Sequence, residues 1–434
     1  VQGYVQRLER LVQPAPVHVM QSSAFTIRAD QAAKRAVNLL LSGPAGGLMG
    51  ARRIGDEVGR PQLLTFDMGG TSTDVALIDG QVNLTSEGSI GPYPVAVPMV
   101  DMHTIGAGGG SIARLDEGGM LVVGPESAGA DPGPACYARG GRLPTVTDAN
   151  LVLGRLRPAA FLGGGMQLDM AAAQLAVGRL AAQMKLSRQQ AAQGIIDLAN
   201  EHMAQALRVI SVQRGVDPVT YTLTAFGGAG GLHVCALADA LGMKHALVPI
   251  HAGVLSALGM LAAPRGRQLS HTQCGLIEDQ RETQLRERFQ ALVVRGQSEL
   301  LDEGVEIDAI TTEFSLDLRY FGQSYTLNIP FYDLKQAAAD FNSMHQQRFG
   351  HTLDSDVELV NLRVALSAAG SDLSLQAGDR DAAPGHPIEQ VVLAGYEQPV
   401  AVWQRDDLQR GALYPGPLLI IDTVATSYVA GAWT

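Results

Sequence analysis

The segment that most constrains the fold is a short apolar run that ends on a carboxylate, turns through two glycines and returns as a second apolar run. The first run is 63–66, Asp67 ends it, and the second run is 75–78. Runs of this length bounded by turn residues predict buried strands. Asp79-Gly80 then predicts a hairpin turn that leads to residues 82–84. Two paired strands with a polar, glycine-rich turn are therefore the first predicted element of the fold.

The chemistry of that turn suits a polyphosphate. From Phe66 to Val75 the sequence reads Phe-Asp-Met-Gly-Gly-Thr-Ser-Thr-Asp-Val. Glycines allow backbone N–H groups to reach phosphate oxygens, and hydroxyls add further donors. A carboxylate beside the phosphates can hold Mg²⁺, usually through water, or orient a nucleophile. A tight hairpin with polar turn residues is the alternative, but the added aspartates and threonines favour phosphate binding.

Two further glycine clusters support this interpretation. Residues 105–112 contain Gly108–Gly110, which could offer N–H groups to an anion or let a neighbouring strand pack closely. They do not form the dinucleotide fingerprint, because Ser111 stands at its third glycine position. Residues 225–233 indicate a strand, a glycine turn and a helix, which can pack against a nucleoside or simply connect two elements. Three such turns in one chain favour a nucleotide.

The rest of the chain predicts an α/β domain followed by a β-rich one. Gln190, three positions after Ser187, gives a capping-box pattern at the start of the second of two helices in 169–210. Further predicted elements are a strand at 222–226, helices at 233–241, 280–301 and 333–348, a hairpin of 314–320 with 325–329, a strand at 357–366, a loop at 370–388, and β-rich segments at 391–402 and 418–429. A boundary near residue 270 gives domains 1–270, with a helical insertion at about 151–215, and 271–434.

Composition argues against several classes of protein. The formal net charge of -11 disfavours nucleic acid and anionic membrane surfaces as partners. No apolar stretch is long enough to span a membrane, and a secretory signal is not expected. The scattered Cys136, Cys235 and Cys274 form neither a disulfide framework nor a metal motif, and they predict thiols that are buried or inert in a cytoplasmic protein. Because no Gly-Lys dipeptide occurs, a Walker A loop is absent.

Eight short motifs follow one another along nearly the whole chain. They are Ser42-Gly-Pro-Ala-Gly-Gly, Phe66-Asp-Met-Gly-Gly-Thr-Ser-Thr-Asp, Gly106-Ala-Gly-Gly-Gly-Ser-Ile, Gly129-Ala-Asp-Pro-Gly-Pro-Ala-Cys-Tyr, Thr147-Asp-Ala-Asn, Phe226-Gly-Gly-Ala-Gly-Gly-Leu-His, Val254-Leu-Ser-Ala-Leu-Gly-Met and Leu318-Arg-Tyr-Phe-Gly-Gln-Ser-Tyr. Each motif is modest alone. The ordered set resembles the hydantoinase A/5-oxoprolinase family, which also includes β subunits of acetone and acetophenone carboxylases.

The resemblance implies an α/β fold like that of actin, sugar kinases and heat-shock chaperones. Such a ribonuclease-H-like domain holds ATP between two related halves, and a C-terminal α+β, β-rich domain would follow it. Family members begin with another Asp-x-Gly-Gly-Thr turn, whereas residues 67–74 match the second phosphate turn. The chain is therefore expected to lack an N-terminal part, and it stops at 432–434 where relatives continue.

The resemblance also implies a reaction, in which an ATP-dependent hydrolase subunit opens a cyclic amide of the hydantoin or 5-oxoproline type by phosphorylating its carbonyl oxygen. An ATP-dependent ketone carboxylase subunit is the alternative, and a non-catalytic nucleotide-binding scaffold is the alternative from another class. The expected cofactors are ATP and Mg²⁺, with a second divalent metal allowed for. The expected partners are a hydantoinase B-type subunit and the small-molecule amide or ketone, and a homodimer is allowed for.

The matched motifs suggest roles for individual residues. Asp67 is assigned to Mg²⁺ and phosphate positioning, and Asp74 to acid/base chemistry or metal positioning, with turn capping an equal alternative. Contacts to phosphate and nucleoside are assigned to Gly69, Gly70, Thr71, Thr73, Gly108, Gly109, Gly227, Gly228 and Gly230.

A second metal is predicted from spacing alone. Asp101 and His103 would share one face of a strand, and Asp148 could complete the ligand set. A hydrogen-bonded histidine is the alternative.

Overall fold

The computed structural model describes residues 1–85, 88–90, 93–95, 97–370 and 385–434. The chain folds into two compact units, each built from three separate stretches of sequence. The first unit comprises Val1–Met49, Val82–Asp101 and Leu258–Leu373, and the second comprises Gly50–Gln81, Met102–Ala257 and Ser374–Thr434.

These units differ from the predicted division near residue 270. Thr26 pairs with Arg265 in one sheet, which joins the start of the chain to the region after the second unit's helices. The last four strands share a hydrophobic cluster with Leu151 and Leu232, so they belong to the second unit rather than to a separate C-terminal domain. The spatial division follows contacts between distant segments, which composition does not reveal.

A five-stranded path forms the central sheet of the second unit. Its strands are β1 (Gln62–Met68), β2 (Thr73–Asp79), β3 (Met102–Ile105), β4 (Thr222–Phe226) and β5 (Ala246–Leu247). Their order across the sheet is β3-β2-β1-β4-β5. β2 runs antiparallel to both of its neighbours, β1 and β3, whereas β4 runs parallel to β1 and β5 runs parallel to β4.

The predicted hairpins around this sheet are confirmed. The turn at 69–72 joins β1 to β2, and Gln81–Val82 pairs with β2 after a turn at Gly80, whose φ is +71°. Every residue of β4 is buried, as expected for a strand covered on both faces. The carboxyl ends of β1 and β4 lie side by side, which places their glycine turns at one edge of the sheet.

The two long helices predicted in 169–210 are confirmed. They are Met170–Met184 and Arg188–Ile210, and a capping box of Ser187 with Gln190 starts the second one. Apolar residues such as Ile195 recur on one face of this second helix, which packs against β2 and β3 in the main hydrophobic cluster.

The first unit contains an open, mostly antiparallel six-stranded sheet. Its strands, in spatial order, are His18–Met20, Thr26–Arg28, Arg265–Leu276, Val357–Ala368, Thr311–Tyr320 and Leu327–Pro330. The last two form the predicted hairpin, with Leu318 opposite Leu327. Helices Glu282–Leu301 and Leu334–Phe349 contribute Phe289 and Phe341 to the hydrophobic cluster of this sheet.

The segments predicted to be β-rich near the end of the chain contain the strands Glu389–Val391, Val400–Gln404, Leu418–Ile421 and Thr426–Val429. Most of the predicted loop at 370–388 lies outside the described residues. The remaining helices are Gln2–Val12, Ala29–Lys34, Ser42–Glu57, Val146–Val152, Val234–Ala240 and Leu255–Ala262, and the remaining strands are Leu84–Thr85, Gly88–Ile90, Tyr93–Val95, Met99–Val100, Ser111–Leu115 and Leu121–Ser127.

Among the helices that the structure describes, none has the length and apolar character needed to cross a bilayer. Cys136 and Cys235 are buried, whereas Cys274 is exposed.

Candidate functional site

Two carboxylates face each other at the edge of the central sheet. Asp67, near the end of β1, is paired across the ladder with Asp74 of β2. Burial, and then the neighbouring Asp74 charge, raise the pKa of Asp67 to about 6 from 3.8. Burial also raises the pKa of Asp74, against the opposing effect of a hydrogen bond from Thr104. A pair of half-buried acids with raised pKa values is typical of functional sites, because burial and a neighbouring like charge produce the shifted pKa values that such sites use.

The Asp67 carboxylate has no hydrogen-bond donor among the residues that the structure describes. Half-buried carboxylates normally find donors within the protein. This one therefore has its lone pairs available for a cation, a water molecule or a substrate proton.

The turn beside these acids carries free backbone donors. The amide of Gly69 donates to the Ser72 carbonyl at 3.1 Å and closes the turn. Gly70 and Thr71 are exposed, and within the described part of the chain their amides have no acceptor. A Cβ atom added to Gly70 would meet nothing within 4 Å. An open turn with unpaired N–H groups can bind phosphate oxygens, which agrees with the roles predicted for Gly70 and Thr71 but not with that of the Gly69 amide.

Thr73 has a different role from the predicted phosphate contact. Its side chain is fully buried, and its hydroxyl donates to the carbonyl of Ala107 at 2.5 Å. Strand alternation explains this, because adjacent residues of β2 point to opposite faces, so Thr73 turns inward where Asp74 does not. Thr73 therefore fastens the turn to the glycine segment that follows β3.

The second glycine segment supports the turn with its own amides. Gly109 donates to the Gly69 carbonyl at 3.0 Å, and Gly110 donates to the Gly70 carbonyl at 2.6 Å. All residues of 107–111 are buried. These N–H groups are already paired, so they are not available to a ligand.

The glycines of this segment are required by close packing. The amide of Gly108 donates to the Ser111 hydroxyl at 2.8 Å, and a Cβ atom on Gly108 would come within 2.8 Å of the Thr71 amide nitrogen. A Cβ atom on Gly109 would come equally near the Thr147 hydroxyl, at 2.8 Å. The prediction that Gly108 and Gly109 contact phosphate is thus wrong for their amides, and the alternative of a closely packed neighbouring segment holds.

The third glycine segment meets the first at the Asp67 carboxylate. Gly227 has a φ of +78°, and a Cβ atom there would overlap the Asp67 carboxylate and the Met68 carbonyl. The Ala229 amide donates to the same Met68 carbonyl at 3.2 Å. The turns at 67–74 and 227–231 therefore converge, as the nucleotide hypothesis required.

The other predicted glycines of this segment differ in accessibility. Gly228 is exposed, whereas Gly230 is buried, with the Phe66 ring 3.5 Å from a Cβ atom built on it. Gly231 packs against the last strand of the chain, where its Cβ position is 2.9 Å from the Thr426 carbonyl. Gly228 is thus exposed and Gly227 partly exposed, whereas Gly230 is not open to a ligand in the way predicted.

The predicted second metal centre is not assembled. Within residues 1–85, 88–90, 93–95, 97–370 and 385–434, no group of three or more histidine, cysteine or acidic residues is arranged to hold a metal ion. Asp101, His103 and Asp148 therefore do not form the ligand set that their spacing suggested.

Asp148 is instead a buried helix cap. Its carboxylate accepts N–H groups from Ala135 at 3.2 Å, Cys136 at 2.8 Å and Thr145 at 3.0 Å, and also the Thr145 hydroxyl at 2.8 Å. Together with Thr145 it forms a capping box on the helix Val146–Val152. A carboxylate with four donors has a complete structural role.

We expect Asp148→Ala to lower the free energy of unfolding by about 3 kcal/mol or more, because it leaves buried amides without acceptors. Urea denaturation measures this loss. Asp169→Ala is a matched control, because Asp169 caps the helix Met170–Met184 from an exposed position through a single bond to the Ala172 amide, and its loss should cost about 1 kcal/mol. An Asp148→Ala protein of normal stability that loses a bound metal would contradict this role.

A cavity of about 850 Å³ lies elsewhere, in the first unit. The helix Gln2–Val12 and side chains including Arg28, Arg265 and Glu303 line it. It contains none of the predicted site residues, so cavity volume does not identify the candidate site.

Sequence reasoning missed Thr104, whose hydroxyl donates to an Asp74 carboxylate oxygen at 2.7 Å. A lone threonine in a short strand carries no signal of its own. Only the register of β3 against β2, which places Thr104 opposite Asp74, could have identified it.

Fold and site together define a mixed α/β protein in which two acids and a turn with free amides lie at one edge of a sheet. Residues 1–267 match the family model described as hydantoinase/oxoprolinase. The chain belongs to this family.

Several characterised proteins are similar over nearly the whole chain. Caprolactamase subunit alpha of Pseudomonas jessenii is 36% identical, and the alignment covers 99% of this chain and 65% of that protein. The 5-oxoprolinase of Dictyostelium discoideum is 33% identical, with 91% of this chain and 34% of that protein covered. The chain thus spans less than two thirds of the length of these relatives.

Two solved structures are also similar. The crystal structure of the ATP-dependent caprolactamase from Pseudomonas jessenii matches with a TM-score of 0.83 at 33% identity, covering 99% of this chain and 66% of that one. The nucleotide-free structure of acetone carboxylase matches with a TM-score of 0.74 at 25% identity, covering 96% and 62% respectively.

Proposed function

We propose that the protein to which this chain belongs opens a cyclic amide in an ATP-dependent reaction, and that the edge defined by Asp67, Gly70 and Gly227 binds the nucleotide phosphates. The observation that carries the proposal is the convergence of two glycine turns on an acid without a hydrogen-bond donor within the described chain. The similarity to an ATP-dependent caprolactamase and to 5-oxoprolinases supports the choice of substrate class.

The chemistry explains why ATP is needed. An amide carbonyl resists attack by water because resonance weakens its electrophilic character. Transfer of the γ-phosphoryl group to the carbonyl oxygen releases ADP and turns that oxygen into a leaving group. Attack by water on the carbonyl carbon gives a tetrahedral intermediate that expels the ring nitrogen, which takes up a proton, so the ring opens and an acyl phosphate remains. A second water hydrolyses the acyl phosphate to the carboxylate and phosphate. Phosphoryl transfer depends above all on positioning and charge neutralisation.

The residues at the edge suit these tasks. The free amides of Gly70 and Thr71, with the Thr71 hydroxyl, would hold phosphate oxygens. Asp67 and Asp74 fit Mg²⁺, because this ion is commonly held by one or two carboxylates together with phosphates and water. When bound, Mg²⁺ would neutralise phosphate charge at this edge. For a second divalent metal, no group of three or more histidine, cysteine or acidic residues is arranged as a ligand set within the described residues.

The finer fold assignment is also a proposal. We assign the second unit to the ribonuclease-H-like class of actin, sugar kinases and heat-shock chaperones. Three antiparallel strands followed by two parallel ones, in the spatial order β3-β2-β1-β4-β5, support this assignment.

An ATP-dependent ketone carboxylase subunit is the second candidate, supported by the similarity to acetone carboxylase. A non-catalytic nucleotide-binding scaffold is the candidate from another class. A hydantoinase B-type partner is proposed because the Pseudomonas relative is named as an alpha subunit. A cytoplasmic location is proposed as well.

The test is an ADP-release assay of the full-length protein with its B-type subunit. We expect ADP formation to rise at least about tenfold when caprolactam, 5-oxoproline or hydantoin is added, since substrate completes the phosphoryl acceptor. Stimulation by acetone with bicarbonate, and by none of the lactams, would favour the carboxylase. Nucleotide binding without stimulation by any substrate would favour the scaffold.

A further inference from the structure

A row of polar side chains crosses three neighbouring strands of the central sheet. Asp67 of β1 is paired with Asp74 of β2, and Asp74 is paired with Thr104 of β3. Directly opposite residues in antiparallel strands project to the same face, with Cβ atoms about 5 Å apart. The three side chains therefore lie side by side on one face, at the edge that carries the glycine turn.

Thr104 is the hydrogen-bond donor to the Asp74 side chain in the described part of the chain. Its hydroxyl lies 2.7 Å from one carboxylate oxygen. Asp74 is half-buried and faces a second acid, so repulsion between the two charges favours rotation of Asp74 away from Asp67. Thr104 lies on the side of Asp74 away from Asp67, so its hydrogen bond fixes the Asp74 carboxylate in the orientation that this repulsion also favours.

We propose that Thr104 is a positioning residue that fixes the orientation of the Asp74 carboxylate, so that Asp74 and Asp67 bind one ligand at the edge that carries the glycine turns. This inference rests on the proposed function, in which that ligand is a phosphate group with its cation. Thr104 is exposed at this face, and it acts through Asp74.

A cross-strand pair that only stabilises the sheet is the competing role. Thr311 provides a matched control for it, because its hydroxyl bonds the Ser367 hydroxyl and carbonyl, both at 3.0 Å, across two strands of the first unit. Both threonines are exposed, and each bond joins paired positions. Thr311→Val removes an equivalent bond away from the proposed site.

The experiment compares Thr104→Val, Thr104→Ser and Thr311→Val in the full-length protein with its partner subunit. ADP release gives kcat and KM, calorimetry gives the Mg²⁺ dependence of ATP binding, and thermal unfolding gives stability. We expect Thr104→Val to lower kcat about tenfold and to raise the Mg²⁺ concentration needed for ATP binding, with little change in the KM of the lactam. Thr104→Ser should restore both properties to within about twofold, because it keeps the hydroxyl.

Two results would overturn the inference. One is a Thr104→Val protein with wild-type kcat and wild-type Mg²⁺ dependence. The other is equal impairment of Thr104→Val and Thr104→Ser, which would show that shape rather than the hydroxyl matters. Failure of the proposed function gives a separate result, because the wild-type protein would then release no ADP with any substrate, while the Mg²⁺ dependence of ATP binding still tests Thr104.

Discussion

Gly227→Ala is expected to abolish ADP release and to destabilise the second unit. The φ of +78° at this position costs an alanine about 1–2 kcal/mol. The new methyl group would also overlap the Asp67 carboxylate and the Met68 carbonyl, and the latter is backbone that cannot rotate away. The Gly227 amide is fixed as well, through a 3.0 Å bond to the Ala252 carbonyl. Relief of the overlap would therefore separate the two turns that form the candidate site.

Gly242→Ala is the control that separates the effect of backbone strain at a positive φ from the effect of steric overlap with Asp67 and Met68. Gly242 has a φ of +68° in the same unit, but its Cβ position meets only a Val219 methyl group at 3.9 Å. We expect this control to lose about 1 kcal/mol in urea denaturation and to keep full ADP release. Wild-type turnover in Gly227→Ala would show that the contact between this turn and Asp67 is dispensable.

Asp67→Asn is expected to lower ADP release at least about a thousandfold while making the apo protein more stable above pH 6. The loss of turnover follows because an amide supplies no negative charge to a cation and accepts no proton. The gain in stability follows because the ionised carboxylate is half-buried beside Asp74 and has no donor among the described residues. Few other changes combine these two effects.

The direction of the pH dependence follows from the raised pKa. Asp67 has a pKa of about 6 in the folded protein and 3.8 as its ordinary value, so the folded chain binds this proton more tightly than the unfolded chain. The associated stability is fully present below about pH 4 and is lost as the pH rises through about 6. Asparagine does not ionise, so the variant should exceed the wild type above pH 6 by on the order of 1–3 kcal/mol and match it near pH 4.

Urea denaturation in the presence of a chelator, repeated between pH 4 and 8, measures this difference. Asp79→Asn is the matched control, because Asp79 ends the same β2 strand, is exposed and accepts a 3.0 Å bond from Gln62. It should change neither turnover nor the pH dependence. A destabilised Asp67→Asn protein would contradict the view that this carboxylate is held at a cost to folding.

The sequence predicted the local secondary structure well, but it predicted poorly which backbone N–H groups are free to bind a ligand. The strands around Asp67 and the capping box at Ser187 follow from patterns within a few residues, and both are present. The amides of Gly108 and Gly109 were predicted to be open, but their partners lie in other segments of the chain. Whether an N–H group is free depends on tertiary contacts, which glycine content does not reveal.

The same reason explains the errors at Thr73 and Asp148. A hydroxyl or a carboxylate in a motif can bind a ligand or bond to the protein itself. Strand alternation turns the Thr73 hydroxyl towards the protein interior, and helix capping uses the Asp148 carboxylate. The convergence of the turns at Asp67 and Gly227 was predicted correctly, because parallel strands bring their carboxyl ends to one edge of a sheet.

The packing of the last strand on Gly231 has a practical consequence for anyone dividing this protein into pieces. The family match ends at residue 267, yet Thr426 and Ser427 cover the glycine turn, and Leu419 shares a hydrophobic cluster with Leu232. A recombinant fragment that ends where the family match ends would expose that hydrophobic cluster and the glycine turn to solvent. A recombinant protein meant to contain the folded turns at 67–74 and 227–231 therefore needs the chain through its final strand.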